Sequence, residues 1–523
     1  MIKRFDTIDE FVKKNRRSIV IYFFFILFAY GIKLFHVIIS IDTESIISVP
    51  EELYRNGWLS MGRFGALLLK KMLGTYWFNP YVASFMMIIT LLAGGLIWMY
   101  LFSNLNKKTS RISWIFPSVF FTAPIMAEQS SFLLQAYEVT VCIGLVGLSL
   151  ILFYKGVYYK KKYYYLFTCI CIIFSFATYQ STVILFITGA VASFLLFYDY
   201  ESGEDTPDFL KIKATGFRYW GTIGKLILLF VLSYLFYTIA NKIVMGALGI
   251  QTEAYINDQV HWGKDSVTEC IVNIGLQVKK ILLGKTIYYN VALAILMIFF
   301  LVYICFRWKQ KRKAYYIFFL ASLALCVCPF IMVLLLGGSV SVRTEWTIPF
   351  VTAFLAMYLT GCFIDSEHFT VPLLLKRLAL LLAFVMGMQQ SMVTARIYYT
   401  EYAKYQQDLV MAIKISDRIE ELNLGDSPQA PVTFIGAKPT HHTPSMYTEE
   451  EIELSGRSLF SISFGTFHGT FVMRNFMKSV GYDYELPTQD QVKRAEEIST
   501  AMGTWPDTDS VRYEEGVIVV RLS

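Results

Sequence analysis

Two carboxylates, Asp42 and Glu44, open the first long polar segment of the chain, directly after an apolar run. A side chain at that place would lie at a membrane surface, beside the lipid head groups. One carboxylate there can accept a proton from an attacking hydroxyl group. Farther along the segment, Arg63 offers a bidentate contact to a phosphate, and the ring of Trp58 can stack on a sugar. The alternative is an ordinary solvated acidic loop.

Other candidates follow apolar runs or join them. Glu128 comes directly after the third run, and Tyr137 and Glu138 come shortly afterwards. Acids in or beside a membrane are costly, so each is a candidate for function. A loop carboxylate is the alternative for Glu128, and helix packing is the alternative for Glu138. Tyr179 and Gln180 join two runs, where a plain polar turn is the alternative.

Arg343 lies alone in a short segment between two apolar runs. Segments with clusters of lysine and arginine alternate along the chain with segments that lack them, and this segment is one that lacks them. An arginine there is therefore unexpected, and it suits the phosphate of a lipid carrier. An arginine that snorkels to the lipid surface is the alternative. His261 belongs to a polar cluster over 257–265. It could act as a base, although we favour an ordinary loop residue.

Long apolar runs recur from residue 18 to residue 396, and they would position these side chains. Only 17% of the residues are charged, against about 25% in soluble globular proteins. Runs of about 20 apolar residues match the bilayer core at the rise of a helix, and lipid offers no partner to an unpaired backbone. We therefore expect an α-helical polytopic membrane protein with about eleven transmembrane helices. The predicted spans are 18–40, 79–103, 112–127, 132–154, 163–179, 181–199, 222–245, 286–306, 314–336, 346–364 and 376–396.

One stretch, 112–154, allows two interpretations. It is either two helices or one long helix with a break. Pro117 and Pro124 favour two helices, because proline interrupts a helix interior.

Lysine and arginine clusters occur in alternate segments between the runs, such as 13–17, 107–111 and 307–313. Such clusters mark the cytoplasmic side. The N-terminus is therefore expected inside, and the loops 41–78 and 246–285 are expected outside. This bias accounts for the net charge of +7, so no nucleic-acid partner is required.

The chain divides into two predicted domains, a transmembrane domain over 1–396 and a polar domain over 397–523. In the second, 398–422 reads as an amphipathic helix, and 431–436 and 516–522 read as strands. We expect a small α+β domain outside the membrane. None of the eight cysteines falls in it, which fits the outer face of a bacterial cytoplasmic (inner) membrane.

Taken in order, these features resemble the polytopic glucosyltransferase family typified by the type II O-antigen glucosyltransferases, within the GT-C superfamily. Many members open the first outer loop with adjacent acids, whereas Thr43 separates the two acids here. Both acids therefore stay candidates for the same role. The features that carry the resemblance are Asp42 and Glu44, Trp58, Gly62 with Arg63, Glu128, Tyr179 with Gln180, Arg343, and the closing strand 516–520.

The resemblance implies a GT-C-like transferase that moves a sugar, expected to be glucose, from a polyprenyl-phosphate carrier to a surface polysaccharide, with inversion. Asp42 or Glu44 would be the general base. Arg343, supported by Arg63, would stabilise the phosphate charge as the bond breaks. Glu128 would orient the acceptor, or hold a divalent metal ion (Mg²⁺ or Mn²⁺) if one is used. The residues expected to contact the substrates are Trp58, Tyr137, Glu138, Tyr179, Gln180 and His261.

Two other function classes share this membrane setting. A transporter or flippase of lipid-linked sugars would bury polar groups in mid-membrane, and the sequence has few mid-span charges. A polymerase or ligase would use an oligosaccharide-diphosphate donor. The long outer loops favour an enzyme over a transporter.

Overall fold

Helices form most of the chain up to residue 424, and a small sheet lies beyond it. The computed structural model describes residues 5–202, 216–251, 259–308, 314–365, 371–424, 430–448, 450–462 and 464–523. The helices of the first half are α1 (Ile8–Tyr30), α2 (Ile32–Phe35), α3 (Thr43–Ser48), α4 (Pro50–Glu52), α5 (Phe64–Met72), α6 (Pro80–Leu105), α7 (Lys107–Ser110), α8 (Ile115–Phe120), α9 (Pro124–Ser131), α10 (Ala136–Tyr159), α11 (Tyr163–Thr178), α12 (Thr182–Ser202) and α13 (Gly216–Leu248). The helices of the second half are α14 (Val267–Leu282), α15 (Ala292–Trp308), α16 (Tyr315–Val327), α17 (Ile331–Leu336), α18 (Thr347–Ile364), α19 (Leu373–Glu420), α20 (Thr466–Ser479) and α21 (Gln489–Ser499).

Several of these helices are long and apolar enough to cross a membrane, which makes the chain a membrane protein. Within the described residues there are seven by length and composition, and the shorter apolar helices α11 and α15 add two. The predicted total of about eleven is not confirmed, because the helices at 18–40 and 112–127 are not among them. The seven segments are Pro80–Leu105, Leu133–Tyr159, Thr182–Tyr200, Gly216–Leu248, Tyr315–Leu336, Thr347–Ile364 and Leu373–Glu420.

The predicted span 112–127 is wrong as a single helix, because the chain breaks into α8 and α9. Pro124 stands at the first turn of α9, where a missing N–H is tolerated. The break frees backbone carbonyls, and neighbouring helices supply donors to them. The hydroxyl of Tyr30 donates to the carbonyl of Phe121 at 2.6 Å, and the hydroxyl of Thr394 donates to that of Thr122 at 2.8 Å. These bonds satisfy the irregular backbone inside the protein.

The helix α19 crosses the predicted domain boundary at 396/397. The span 376–396 and the amphipathic helix 398–422 were predicted separately, and they form one continuous helix of 48 residues. The division of the chain into two domains stays a prediction. The long helix places the membrane part and the C-terminal part on a common rigid element.

A three-stranded sheet forms the centre of the C-terminal part. Its strands are β1 (Val432–Ile435), β2 (Val511–Glu514) and β3 (Val517–Arg521), in the order β1-β3-β2. The strand β1 pairs in parallel with β3, and β2 pairs antiparallel with it. The two predicted strands are confirmed and β2 was not predicted. The helix α20 packs on this sheet, where the backbone N–H of Phe434 donates to the Thr470 hydroxyl at 3.0 Å.

Candidate active site

One cavity brings together side chains from distant parts of the chain. It has a volume of about 910 Å³ and is lined by the segment 42–63, the helices α12 and α13, the segment 332–344 and the helix α20. We call it the Asp42 cavity. Six of the predicted site residues line it, and they come from three separate segments. Those six are Asp42, Trp58, Arg63, Tyr179, Gln180 and Arg343.

Asp42 occupies an unusual backbone position at the edge of the cavity. It has φ +65°, in the left-handed region, immediately before the first residue of α3. Aspartate tolerates this region better than most residues, and such positions concentrate at functional sites. Its side chain is exposed to the cavity while protein surrounds it. The resulting desolvation raises the pKa of Asp42, and the opposing charges of Arg343, His468 and Arg63 limit the rise.

Glu44 lies behind Asp42 and does not line the cavity. Its side chain is fully buried, and the hydroxyl of Ser45 donates to its Oε1 at 3.0 Å. Burial and the nearby charge of Asp42 raise the pKa of Glu44 well above its ordinary value. Glu44 therefore supports the wall of the cavity, whereas Asp42 faces its interior.

Arg63 is held in a fixed orientation by three contacts. Its Nε donates to Gln180 Oε1 at 3.3 Å, and its Nη1 donates to Gln135 Oε1 at 3.2 Å. The guanidinium carbon lies 4.6 Å from the centre of the Tyr179 ring. The preceding Gly62 has φ +77°, and a side chain there would meet α13. The turn therefore needs glycine to hold Arg63 at the wall.

Arg343 lies across the cavity in a short 3-10 helix, Val342–Thr344. Its guanidinium carbon lies 4.3 Å from the centre of the Phe132 ring. The backbone N–H of Val342 donates to Glu453 Oε1 at 3.3 Å, so the C-terminal part fixes this loop. Both predicted phosphate ligands, Arg63 and Arg343, thus face one space together with Asp42.

Tyr137 and Glu138 do not line the cavity, which argues against the predicted substrate contacts. They lie behind Trp58, around a buried ion pair. Lys70 Nζ is 2.5 Å from Glu138 Oε1, and both side chains are almost fully buried. The same Nζ lies 5.0 Å from the ring centre of Tyr137 and 5.4 Å from that of Trp58. The pair supports Trp58 from behind.

Glu128 is buried in a contact with the C-terminal part, away from the cavity lining. Its carboxylate accepts hydrogen bonds from the backbone N–H groups of Glu453 and Ser455, at 3.2 and 3.1 Å, and from the Ser455 hydroxyl at 2.6 Å. Burial raises the pKa of Glu128 to about 7. With its oxygens occupied in this way, the geometry argues against the predicted catalytic or metal-binding role.

His261 also lies outside the set of lining residues. Its Nδ1 is 2.7 Å from Asp265 Oδ2, and its backbone N–H donates to the carbonyl of Leu336 at 2.8 Å. It belongs to a turn before α14, as the loop interpretation expected, and the predicted substrate contact is not supported.

Among the described residues, no group of three or more His, Cys, Asp or Glu side chains could hold a metal ion.

Three of the other lining residues bear directly on the site and were not predicted from the sequence. Gln135 orients Arg63, and His468 and Phe471 project from α20 into the wall of the cavity. The two α20 residues lie more than 400 positions from Asp42 in the sequence. No local pattern could have linked them to it, because only the packing of α20 on α3 brings them together.

Comparison with known proteins gives a family match. The family model described as glucosyl transferase GtrII matches residues 31–360. No curated protein and no solved structure shows significant similarity to the chain. The matched range contains Asp42, Arg63 and Arg343, whereas His468 and Phe471 lie beyond it.

Proposed function

This chain belongs to the glucosyl transferase GtrII family, and from that premise we propose that it transfers glucose from a polyprenyl-phosphate carrier to a cell-surface polysaccharide. The proposed reaction takes place at the outer face of a bacterial cytoplasmic membrane, in a GT-C-like enzyme. One observation carries the proposal. A carboxylate, Asp42, and two guanidinium groups, those of Arg63 and Arg343, line one cavity.

In the proposed reaction, Asp42 accepts the proton of an acceptor hydroxyl. The hydroxyl oxygen attacks the anomeric carbon, and the bond from that carbon to the phosphate oxygen breaks. The electron pair stays on the phosphate, which leaves as polyprenyl monophosphate. Arg343 and Arg63 stabilise the charge that develops on it. Attack from the side opposite the phosphate inverts the anomeric centre.

Of the two acids that the sequence left open, the geometry favours Asp42 as the base. Asp42 is exposed to the cavity, whereas Glu44 is fully buried. A base with a raised pKa binds a proton more strongly, which suits the removal of a proton from a sugar hydroxyl. Glu44 does not line the cavity, so it has no contact with an acceptor there.

An apolar crevice next to the cavity supports a lipid-linked donor. The crevice has a volume of about 510 Å³ and lies between α12, α13 and α16. On α12 the cavity is lined by Ile184 and the crevice by Phe186. On α13 the crevice reaches Val231 and the cavity begins at Tyr234. The two spaces thus follow one another along the same helices. A donor with its phosphate in the cavity could therefore place its prenyl chain in the crevice.

The donor class can be tested directly with membranes that contain the protein. Three radiolabelled compounds are supplied separately: polyprenyl-phosphate glucose, nucleotide-linked glucose, and a polyprenyl-diphosphate oligosaccharide. We expect label in surface polysaccharide from the first donor alone. Transport of that donor without transfer would instead indicate a flippase, and use of the diphosphate donor would indicate a polymerase. A parallel assay with EDTA tests dependence on Mg²⁺ or Mn²⁺.

A further inference from the structure

An aromatic row on the C-terminal part leads from the solvent to the Asp42 cavity. The row consists of Phe464, His468 and Phe471. The ring centres of Phe464 and His468 are 5.7 Å apart, and those of His468 and Phe471 are 6.2 Å apart with the rings nearly parallel. His468 and Phe471 line the cavity, and Phe464 extends the row outward with 52% of its surface exposed.

Two residues of the row, His468 and Phe471, lie on the outer face of the amphipathic helix α20, and Phe464 lies just before its first residue. Residues 468 and 471 are three apart, so they share one face of α20. The opposite face carries Met473, Phe476 and Met477, which are buried against the sheet. The core of the C-terminal part therefore does not need Phe464 or His468. Exposed aromatic side chains that continue into a cavity are candidates for ligand contacts.

The helix is fixed to the segment that carries the base. The hydroxyl of Ser48 donates to the backbone carbonyl of Asn475 at 2.8 Å. The buried Asn475 side chain in turn donates to the Ser45 hydroxyl at 3.5 Å. Ser45 and Ser48 both belong to α3, which begins directly after Asp42. The aromatic row therefore keeps a constant position relative to Asp42.

From this geometry we infer that the row Phe464–His468–Phe471 binds the glycan acceptor and guides its hydroxyl to Asp42. The inference rests on the proposed function for the identity of the reaction, but it assigns a separate binding site. Aromatic rings bind the C–H faces of sugar rings, and the imidazole of His468 can exchange hydrogen bonds with their hydroxyls. The row starts in solvent and ends in the cavity, as a polymer acceptor requires.

The proposed acceptor site and the proposed donor site reach the cavity from different sides. The apolar crevice adjoins the cavity along α12 and α13, whereas the row enters it from α20. A glycan on the row and a lipid-linked sugar in the cavity would approach Asp42 from different walls. The family match ends at residue 360, so the row belongs to the part of the chain outside it and can determine which acceptor is used.

The test measures glycan binding to the full-length protein in detergent by titration calorimetry. The probe is an oligosaccharide fragment of the surface polysaccharide from the cells that produce the protein. Phe464→Ala, His468→Ala and Phe471→Ala should each weaken binding roughly tenfold. Phe464→Trp should retain it, since the larger ring still stacks. Tyr513→Ala is the matched control, because Tyr513 is an exposed aromatic residue of β2 with 45% of its surface exposed.

The outcomes separate this inference from the proposed function. Unchanged binding by Phe464→Ala and His468→Ala, or an equal loss in Tyr513→Ala, would overturn the inference. If the wild-type protein binds the glycan through the row but transfers no glucose, the inference stands and the proposed function is refuted. Where transfer occurs, the row variants should raise the KM for the acceptor and leave the KM for the donor unchanged. Binding of glycan-free lipid vesicles by the row in place of the fragment would also overturn it.

Discussion

The carboxylate of Glu128 accepts a hydrogen bond from the hydroxyl of Ser455 at 2.6 Å and another from its backbone N–H at 3.1 Å. The two residues are 327 positions apart, and they join the helix α9 to the C-terminal part. Val342, beside Arg343, is joined to the same segment through Glu453. The C-terminal part is therefore attached both to the membrane helices and to a wall of the Asp42 cavity.

The first prediction concerns the pH dependence of this contact. Burial raises the pKa of Glu128 from 4.5 to about 7 in the folded protein. Between these values the folded state holds a proton that the unfolded state releases, so the free energy of unfolding falls as pH rises through this window. The shift corresponds to a fall on the order of 3 kcal/mol. Glu128→Gln cannot titrate and should lack this component.

The measurement is the unfolding of purified protein between pH 5 and 7.5, with the exposed Glu450→Gln as control. Parallel pH profiles for the wild type and Glu128→Gln would contradict the assignment.

The second prediction concerns the buried pair of Lys70 and Glu138, 2.5 Å apart behind Trp58. Lys70→Met leaves a buried carboxylate without its partner, which should lower the free energy of unfolding by about 3–5 kcal/mol. The double variant Lys70→Met, Glu138→Leu removes both charges and should recover most of that loss. Lys71→Met, at the exposed neighbour, is the control for the change of residue type. A double variant no more stable than Lys70→Met would contradict this account, because removing the unpaired carboxylate would then relieve nothing.

The third prediction separates the two acids of the first loop. Glu44 is fully buried and does not line the cavity, and Gln has nearly the same size and shape. Glu44→Gln should therefore reduce glucose transfer by less than about tenfold, whereas a lost general base typically reduces the rate by about 10²–10⁴. The readout is the initial rate with labelled donor. A loss in the larger range would make Glu44 the base instead.

The fourth prediction concerns the phosphate contact. Arg343→Ala should lower kcat/KM for the polyprenyl-phosphate donor by about 10²-fold or more, since a charge-stabilising donor group in an active site is worth about that much. Arg343→Lys should keep part of the activity, because it retains the charge without the bidentate geometry. Arg55→Ala is the control for a nonspecific effect of lost positive charge, because Arg55 is exposed and does not line the cavity. A change confined to the acceptor KM would refute the phosphate assignment.

Much of this architecture could be predicted from composition and spacing. The helical membrane fold and the glucosyltransferase family were predicted correctly. A break within 112–154 was predicted, but it was expected after residue 127 and not before Pro124. The sequence could not show that side chains such as Thr394 satisfy the freed carbonyls. Without that information, 112–127 looks like a complete span.

The site was harder to predict, because residue type does not indicate which way a side chain faces. Asp42 and Glu44 are two positions apart and look equivalent in the sequence, yet one faces the cavity and the other is buried. Glu128 and Glu138 are costly buried acids, as the sequence indicated. Their cost is offset by structural partners, which lie far away in the chain. His468 was not predicted for a similar reason, because it is far from Asp42 in the sequence.

The most direct test of the account is the rate of glucose transfer by Asp42→Asn with labelled polyprenyl-phosphate glucose. The variant keeps the size of the side chain and removes the proton acceptor, so transfer should fall by about 10²–10⁴ while membrane insertion and thermal stability stay unchanged. Glu51→Gln, a nearby exposed acid outside the cavity, should transfer at the wild-type rate. Wild-type transfer by Asp42→Asn would contradict the central claim that this carboxylate activates the acceptor.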